Sequence, residues 1–286
     1  MTAVSGRRPA RWLTPASGYL TGYSHTLNPY VGCAYGCSYC YVRRMPVGLF
    51  HHEAPWGEWV NVKRFERAFF IREWERALDK GTVTLFMSSS TDPYQPAEAH
   101  HQVARSLLET MAERPPAFVM LQTRGPLVVR DIDLLRRLGR RVRVSMTIET
   151  DMEAARRHFT PSAPPLAARW RALQELQRHG VPTQVAVAPL LPHTSQFADW
   201  LAERAERVVV DDFFRGDGRA GQRSAQLGMR EACAAFGDPE AYDPASAEAL
   251  YAALTERLGE ARVSFSQAGF LPPDEEARRP EPPPIS

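Results

Sequence analysis

The sequence predicts an α/β protein built on a parallel β-sheet. Two features predict it: short apolar runs alternate with segments of helical periodicity, and polar residues gather directly after the runs. Strands that alternate with helices of about ten to fifteen residues are typical of βαβ units. Such strands close into a full or partial barrel or stay open as a doubly wound sheet, and either arrangement places chemistry at their carboxyl ends.

About six strands are expected from the apolar runs. The first is the segment that leads into a group of cysteines at 33–40, and the others are apolar runs bounded by polar residues or glycine: 82–87, 117–122, 141–148, 183–188 and 207–214. Because neighbouring parallel strands need a crossover between them, a helix is expected in most of the intervals.

Apolar residues at helical spacing fill these intervals. Phe70, Trp74, Ala77 and Leu78 form one apolar face ahead of the 82–87 strand. The same spacing recurs in three further segments: 104–111, 134–138 and 166–173.

Capping residues predict where helices end. Gly180, with Pro182 beyond it, stops the helix over 166–173, and the next helix begins near Ser195. Asp243, directly before a proline, is a suitable N-cap for a last helix that ends at Gly259.

The domain boundaries follow from composition. Residues 1–20 are expected to be a disordered tail, 21–270 a single domain, and 271–286 a second disordered tail that is rich in proline and charge. No apolar run is long enough to span a membrane, and no apolar h-region follows the N-terminal arginines. We therefore expect a cytoplasmic protein.

Basic residues are almost all arginine. Of 35 basic residues only Lys63 and Lys80 are lysine, and arginine suits phosphate and nucleic-acid recognition. The formal net charge is only +2, however, and no segment is a purely basic block. This charge balance favours a compositional bias as the explanation of the many arginines, with most of them on solvated helix faces.

Three of the four cysteines lie in one short segment with C-x3-C-x2-C spacing: Cys33, Cys37 and Cys40. Three thiolates in one loop can hold an incompletely ligated iron–sulfur cluster, whose open iron binds a substrate or cofactor directly. The rival interpretation is a structural zinc site, with a fourth ligand from one of three histidines: His25, His51 or His52. Cys233 lies far along the chain and is expected to be a buried core thiol.

Polar residues follow each predicted strand. The segment 88–96 follows the second strand and 123–126 the third, and 188–195 follows the fifth. Ser145 and Glu149 lie at the end of the fourth, where helix capping alone also explains them. Hydroxyls, carboxylates and an arginine at one edge of the sheet suit a ligand with an amino acid end and a ribose.

These motifs resemble the radical S-adenosylmethionine (SAM) superfamily. The resemblance is carried by C-x3-C-x2-C with Tyr39 in the aromatic slot before the third cysteine, and by the six-strand pattern. The flanking G-C-A-Y-G-C-S-Y-C-Y, the T-D-P-Y-Q-P block and the R-D-I-D-L-L segment resemble the spore photoproduct lyase-related (DNA-photolyase-like) group. The resemblance implies a partial (β/α)6 parallel TIM-like barrel with a C-terminal helical cover.

The resemblance also implies the chemistry. The three clustered cysteines would hold a 4Fe-4S cluster whose fourth iron takes the amino and carboxylate groups of SAM. Reductive cleavage then gives a 5′-deoxyadenosyl radical that abstracts hydrogen from an unknown substrate. An electron donor such as flavodoxin or ferredoxin is implied, and a nucleic acid is one candidate substrate.

Five residues are expected at the SAM site by the same resemblance. Tyr39 would lie near the adenine, while Thr91 and Asp92 stand where such enzymes contact the SAM amino group, usually with a Gly-Gly-Glu-like stretch. Arg124 would pair with the SAM carboxylate, and Ser145 would reach the carboxylate or the ribose.

One position departs from spore photoproduct lyases proper. The hydrogen-donor cysteine of those enzymes aligns with Ser89. A radical SAM enzyme other than a true spore photoproduct lyase is therefore expected. Two alternatives stay open: a nucleic-acid repair or modification enzyme of the same superfamily, and a non-catalytic zinc-binding or electron-transfer module.

Overall fold

A computed structural model describes residues 2–51 and 54–273. The strands in these ranges are β1 (Ala3–Arg7), β2 (Leu13–Pro15), β3 (His25–Leu27), β4 (Tyr30–Val31), β5 (Trp59–Lys63), β6 (Thr84–Met87), β7 (Phe118–Thr123), β8 (Val142–Thr147), β9 (Thr183–Val187), β10 (Val208–Val210) and β11 (Val263–Phe265).

The helices between them differ widely in length. They are α1 (Pro46–Leu49), α2 (Arg67–Lys80), α3 (Glu98–His101), α4 (Val103–Glu113), α5 (Ile132–Leu138), α6 (Glu153–Phe159), α7 (Leu166–Arg178), α8 (Phe197–Arg204), α9 (Gln222–Gln226), α10 (Met229–Phe236) and α11 (Pro244–Leu258). Among the described residues, no helix has the length and apolar character needed to cross a membrane.

One sheet of eight strands forms the centre of the molecule, in the order β2-β3-β6-β7-β8-β9-β10-β11. Every neighbouring pair from β3 to β11 is parallel, and β2 is antiparallel at the edge. The α/β class and the six parallel strands of a partial barrel are thus confirmed. The short strand β11 adds a seventh parallel strand. The sequence did not predict it, because three residues are too few to show a strand pattern.

The two faces of the sheet bury different residues because side chains alternate along each strand. One face, with Leu85, Leu121 and Val144, belongs to the main apolar core beneath the helices. The other face points into the barrel and holds a smaller cluster that includes Phe86 and Met120. The inward positions become polar toward the carboxyl ends of the strands, and this places the site there.

The N-terminal segment is ordered where a disordered tail was expected. β1 pairs in parallel with β5, and β2 pairs with β3. Trp12 is buried, and the Glu73 carboxylate accepts hydrogen bonds from the backbone N–H groups of Trp12 and Leu13. The prediction was wrong because these strands are short and the partner of β1 lies far along the chain. Of the predicted C-terminal tail, 274–286 lies outside the described residues.

The C-terminal helices cover the barrel, but two short 3-10 turns close its open side. α10 packs on α6, and its Met229 and Cys233 share an apolar cluster with the cysteine loop. The open side is closed where Gly18–Leu20 meets Ser266–Phe270. There Gln267 Nε2 donates to the Tyr19 carbonyl at 2.6 Å.

Candidate active site

The cysteine loop is tight because two glycines permit it. Gly32 has a φ of +86°, and a Cβ on it would lie 2.7 Å from the ring of Trp59. Gly36 also has a positive φ, and its Cβ would lie 3.1 Å from the Gly57 Cα. Only glycine meets both the backbone conformation and the close approach at these positions. The loop therefore lies close against the segment 56–59.

All three thiols of this loop, Cys33, Cys37 and Cys40, line a cavity of about 510 Å³ at the carboxyl ends of the parallel strands. Burial raises the pKa of each, that of Cys40 to about 12. Thiolates at these positions need a cation beside them, and bound iron would supply that charge. The donor set thus fits an iron–sulfur cluster.

Arg124 extends from the end of β7 to the cysteine loop. Its Nη1 donates to Cys37 Sγ at 2.8 Å and to the Tyr39 hydroxyl at 2.7 Å, and it lies 2.8 Å from Glu149 Oε1. The Tyr39 hydroxyl donates to the same Glu149 oxygen. The structure therefore brings Tyr39 and Arg124 together beside a cysteine.

Glu149 is held between two arginines. Arg169 is fully buried, and its Nη1 donates to Glu149 Oε2 at 2.6 Å. Burial alone would raise the pKa of Glu149, but Arg169 and Arg124 lower it to about 2. The carboxylate is therefore ionised at neutral pH and orients Arg124. Sequence reasoning missed Arg169, because a helix arginine gives no signal of its buried partner.

The T-D-P-Y-Q-P block joins the cysteine loop to the loop after β7. Thr91 Oγ1 donates to the Gly32 carbonyl at 2.5 Å. Asp92 accepts from the Thr123 hydroxyl at 2.7 Å and from the Arg124 backbone N–H at 2.8 Å. Both residues line the cavity, but these contacts with the protein occupy their side chains. Their role in the structure is to position the two loops.

Gln95 completes this connection and was not predicted. Its side chain is fully buried, and Oε1 accepts from the Ala34 backbone N–H at 2.9 Å. Its Nε2 donates to Thr91 Oγ1 at 3.0 Å. The amide therefore joins the middle of the cysteine loop to the T-D-P-Y-Q-P block.

The R-D-I-D-L-L segment supports the same block from behind. Asp131 is fully buried and accepts from the Tyr94 hydroxyl at 3.0 Å, from Arg105 Nη1 at 2.8 Å and from Arg130 Nε at 2.8 Å. Arg130 also donates to the buried Glu98 at 2.6 Å. This motif is thus a buried ionic network that holds the 92–98 segment in place.

Ser145 does not line the cavity, in contrast to the prediction. It is fully buried, and its hydroxyl accepts from Gln184 Nε2 at 3.1 Å. Thr147, two residues further along the same face of β8, lines the cavity with Gln122. Ser145 was placed on the correct face of the strand but lies one layer too deep to reach the cavity wall.

The histidines proposed as a fourth zinc ligand lie elsewhere or outside the described residues. The His51 ring stacks on Trp59 at a centroid distance of 3.7 Å, and His25 Nδ1 lies 2.9 Å from Ser24 Oγ. His52 is outside the described residues. Within 2–51 and 54–273, no three His, Cys, Asp or Glu side chains group closely enough to hold one metal ion.

Cys233 is a buried core thiol, as expected. It is fully buried in α10, and burial raises its pKa to about 12. It packs in the apolar cluster that covers the cysteine loop and does not line the cavity.

Sequence relatives align with more than half of this chain. An uncharacterized protein of Methanocaldococcus jannaschii is 29% identical over 60% of this chain and 62% of its own length. An uncharacterized protein of Acidianus two-tailed virus is 31% identical over 58% of this chain and 56% of its own length. The chain therefore matches only about six tenths of the length of these relatives.

Solved structures share the fold. A spore photoproduct lyase complexed with dinucleoside spore photoproduct superposes with a TM-score of 0.65 at 11% identity, over 92% of this chain and 81% of the lyase. A lyase variant with bound AdoMet and dinucleoside spore photoproduct gives a TM-score of 0.64 at 12% identity, over the same shares. At this identity the similarity establishes the fold alone.

The family itself is settled by sequence. The profile of the Radical SAM superfamily matches residues 27–200, which is more than half of the chain and includes all three clustered cysteines. The protein therefore belongs to the radical SAM superfamily.

Proposed function

We propose that this protein cleaves SAM reductively on a 4Fe-4S cluster held by Cys33, Cys37 and Cys40, and uses the product radical to take hydrogen from a substrate. The observation that carries the proposal is the position of these three thiols, in one tight loop facing a cavity of about 510 Å³ at the strand ends. The motif supplies three ligands for four irons, which leaves one iron free for SAM.

The spacing of the thiols supports a cluster over a single zinc ion. A zinc site needs its ligands around one point, whereas a cluster takes each cysteine on a different iron. When bound, the cluster supplies the electron that cleaves SAM to methionine and a 5′-deoxyadenosyl radical. The reductant would be a small electron carrier such as flavodoxin or ferredoxin.

The protein's own residues would orient SAM and exclude water. Arg124 is held by Glu149 and would bind the SAM carboxylate, while Tyr39 would lie beside the adenine. Thr91 and Asp92 would act through the position of the loops they join. Ser145 would act only indirectly, through the side chains that line the cavity, because its own hydroxyl does not reach the cavity.

The decisive experiment is anaerobic reconstitution of the cluster, followed by EPR with and without SAM and an assay for 5′-deoxyadenosine. We expect a cluster signal that changes with SAM and product formation that is lost in Cys37→Ala. Cys233→Ala is the matched control, because that thiol is buried outside the cavity and should leave the iron content unchanged. Colourless protein with one zinc, or a cluster indifferent to SAM, would contradict the proposal.

A nucleic-acid substrate is the second candidate. It is favoured by arginines near the cavity: Arg223 lines it, and the exposed Arg44 donates to the Gln226 carbonyl in α9. Binding to DNA or RNA oligomers should then weaken steeply with salt, because phosphate contacts release counterions. No binding at low salt would remove this candidate and leave the SAM chemistry untouched.

A further inference from the structure

Two buried polar atoms in the wall of the cavity have no hydrogen-bond partner among the described residues: Ser88 Oγ and Gln122 Oε1. Ser88 is only 4% exposed. Gln122 uses its other amide atom, since Nε2 donates to the Thr147 hydroxyl at 2.6 Å. An unpaired buried polar group costs stability, so its retention calls for an explanation such as a ligand.

Ser88 is also held in an unfavourable backbone conformation. Its φ is +76°, in the left-handed region that disfavours residues with a Cβ, while its N–H donates to the Leu27 carbonyl at 2.8 Å. Residues held in such conformations cluster at ligand sites. The strain at Ser88 and its unpaired hydroxyl are two separate observations at one position.

A carboxyl group lies on another part of the same wall. Asp211 follows β10 and lines the cavity, where its Oδ2 accepts from the Tyr19 hydroxyl at 2.7 Å and Oδ1 from the Asp212 backbone N–H at 2.9 Å. Burial raises the pKa of Asp211 to about 6. Ser266 also hydrogen-bonds to the carboxyl, so three donors use three of its four lone pairs, and one can still accept from a ligand.

Gln122 lies below the level of the cysteine loop. Arg124 reaches Cys37, whereas Gln122 is two residues earlier on β7 and hence about 7 Å deeper in the barrel. SAM must place its amino acid end at the level of the cysteines to reach the iron. The part of the cavity beneath lies away from that end of SAM.

We propose that Ser88 Oγ, Gln122 Oε1 and Asp211 form a subsite for the substrate, and that the substrate presents an uncharged amide-type group to it. The Gln122 and Asp211 oxygens accept from an N–H, and the Ser88 hydroxyl donates to the adjacent C=O. The proposal rests on the proposed SAM chemistry for its purpose, but the subsite can be tested without turnover.

The test uses a matched pair of small imides, succinimide and N-methylsuccinimide, which differ in the N–H. Their binding to cluster-loaded protein with SAM, without reductant, is measured by ligand-observed NMR. We expect succinimide to bind and its N-methyl analogue to bind about tenfold more weakly, since one hydrogen bond to a buried acceptor is lost. Ser88→Ala and Gln122→Met should remove the preference.

Ser17→Ala is the control, because Ser17 lines the same cavity at its exposed rim. The affinity for SAM is measured in the same variants by equilibrium dialysis. If Ser88→Ala or Gln122→Met weakens SAM binding as much as imide binding, the subsite belongs to the cofactor and the proposal is overturned. Equal binding of the two imides, or binding of neither, overturns it as well.

The two proposals fail in different ways. Absence of 5′-deoxyadenosine from reduced wild-type protein would remove the SAM chemistry but not a selective imide site. A selective imide site that Ser88→Ala leaves intact would remove the subsite but not the SAM chemistry. Each variant's melting temperature shows that it folds, and Ser88→Gly should raise it by a few degrees, because glycine accepts the positive φ.

Discussion

At the scale of single residues, the buried triad of Glu149, Arg124 and Arg169 is the strongest electrostatic feature of the site. We expect Glu149→Ala to lower the free energy of unfolding by about 3–5 kcal/mol, because two buried guanidinium groups lose their counterion. Glu149→Gln should cost less, since it keeps the shape and one of the two acceptor oxygens. Chemical denaturation of the cofactor-free protein measures both.

The control for this prediction is an ion pair on the surface. Glu113 pairs with Arg67 at 2.5 Å, and both side chains are about half exposed. Glu113→Ala should therefore cost only about 0–1 kcal/mol. Equal destabilisation by Glu149→Ala and Glu113→Ala would show that the buried triad adds nothing to stability.

Asp211 gives a dependence of stability on pH that is opposite to that of most carboxyl groups. Its pKa is about 6 in the folded protein against an ordinary value of 3.8, so folding favours the protonated form. The stability that this group contributes is present below pH 3.8 and is lost as the pH rises through 6. Asp211→Asn, which stays uncharged, should therefore stabilise the protein at about pH 8 and much less at about pH 4.

The size of this effect is bounded by the shift in pKa, at about 3 kcal/mol, since one pKa unit corresponds to about 1.4 kcal/mol. Asparagine keeps an oxygen that accepts from Tyr19, so the hydrogen bond at 2.7 Å survives the substitution. Melting temperatures of wild type and Asp211→Asn across this pH range test the prediction. A difference that does not change with pH would contradict it.

At the scale of elements, the Gln95 amide strengthens the attachment of the cysteine loop to the loop after β6, beside the bond from Thr91 to the Gly32 carbonyl. Gln95→Ala removes the acceptor for the Ala34 N–H and the donor to Thr91, so the loop loses its central support. We expect this variant to fold but to retain clearly less iron than wild type after anaerobic reconstitution and desalting, because the ligands are less well positioned.

The matched control for Gln95 is Gln177, in α7. Its Nε2 donates to the Arg204 carbonyl at 3.1 Å, so Gln177→Ala removes a similar contact away from the site. Wild-type iron content in Gln177→Ala and reduced content in Gln95→Ala would support the role of Gln95. Equal iron content in the two variants would contradict the role of Gln95.

The elements also show what the sequence could predict. The apolar runs gave the strands from β6 to β10 because burial on both faces leaves a continuous hydrophobic signal. β1, β2 and β11 have three to five residues each, too few for a period to appear. The positions of β1 and β11 also depend on pairing with distant strands, which no local pattern contains.

Site residues were predictable by type and position but not by partner. The three cysteines, Tyr39 and Arg124 were indicated by motif spacing, strand ends and the family resemblance, and they line one cavity. The prediction for Ser145 gave the correct face of the strand but the wrong depth in the barrel. Alternation along a strand shows which face a residue is on and not how deep it lies. Gln95 and Arg169 were missed because their partners, Ala34 and Glu149, lie on other elements and become neighbours only through the fold.

At the scale of the whole molecule, the partial barrel is closed by contacts between its two ends. Tyr23, near the N-terminal edge, donates its hydroxyl to the Phe270 carbonyl at 2.5 Å, and its ring packs on Phe86. Both tyrosine and acceptor are buried, so the bond closes the sheet edge away from solvent. The open side of the barrel is thus held by residues more than two hundred positions apart in sequence.

Tyr23→Phe should open this closure without disturbing the core. The ring and its packing are kept, while the Phe270 carbonyl loses a buried donor at a cost of about 1–3 kcal/mol. We expect faster amide exchange in a peptide over residues 263–273 and little change in β7 and β8, since stability is local to each unit. Tyr251→Phe is the control, because the Tyr251 ring packs on Phe265 and that packing survives. Unchanged exchange over 263–273 in Tyr23→Phe would show that the remaining contacts, among them the bond from Gln267 to the Tyr19 carbonyl, close the barrel without it.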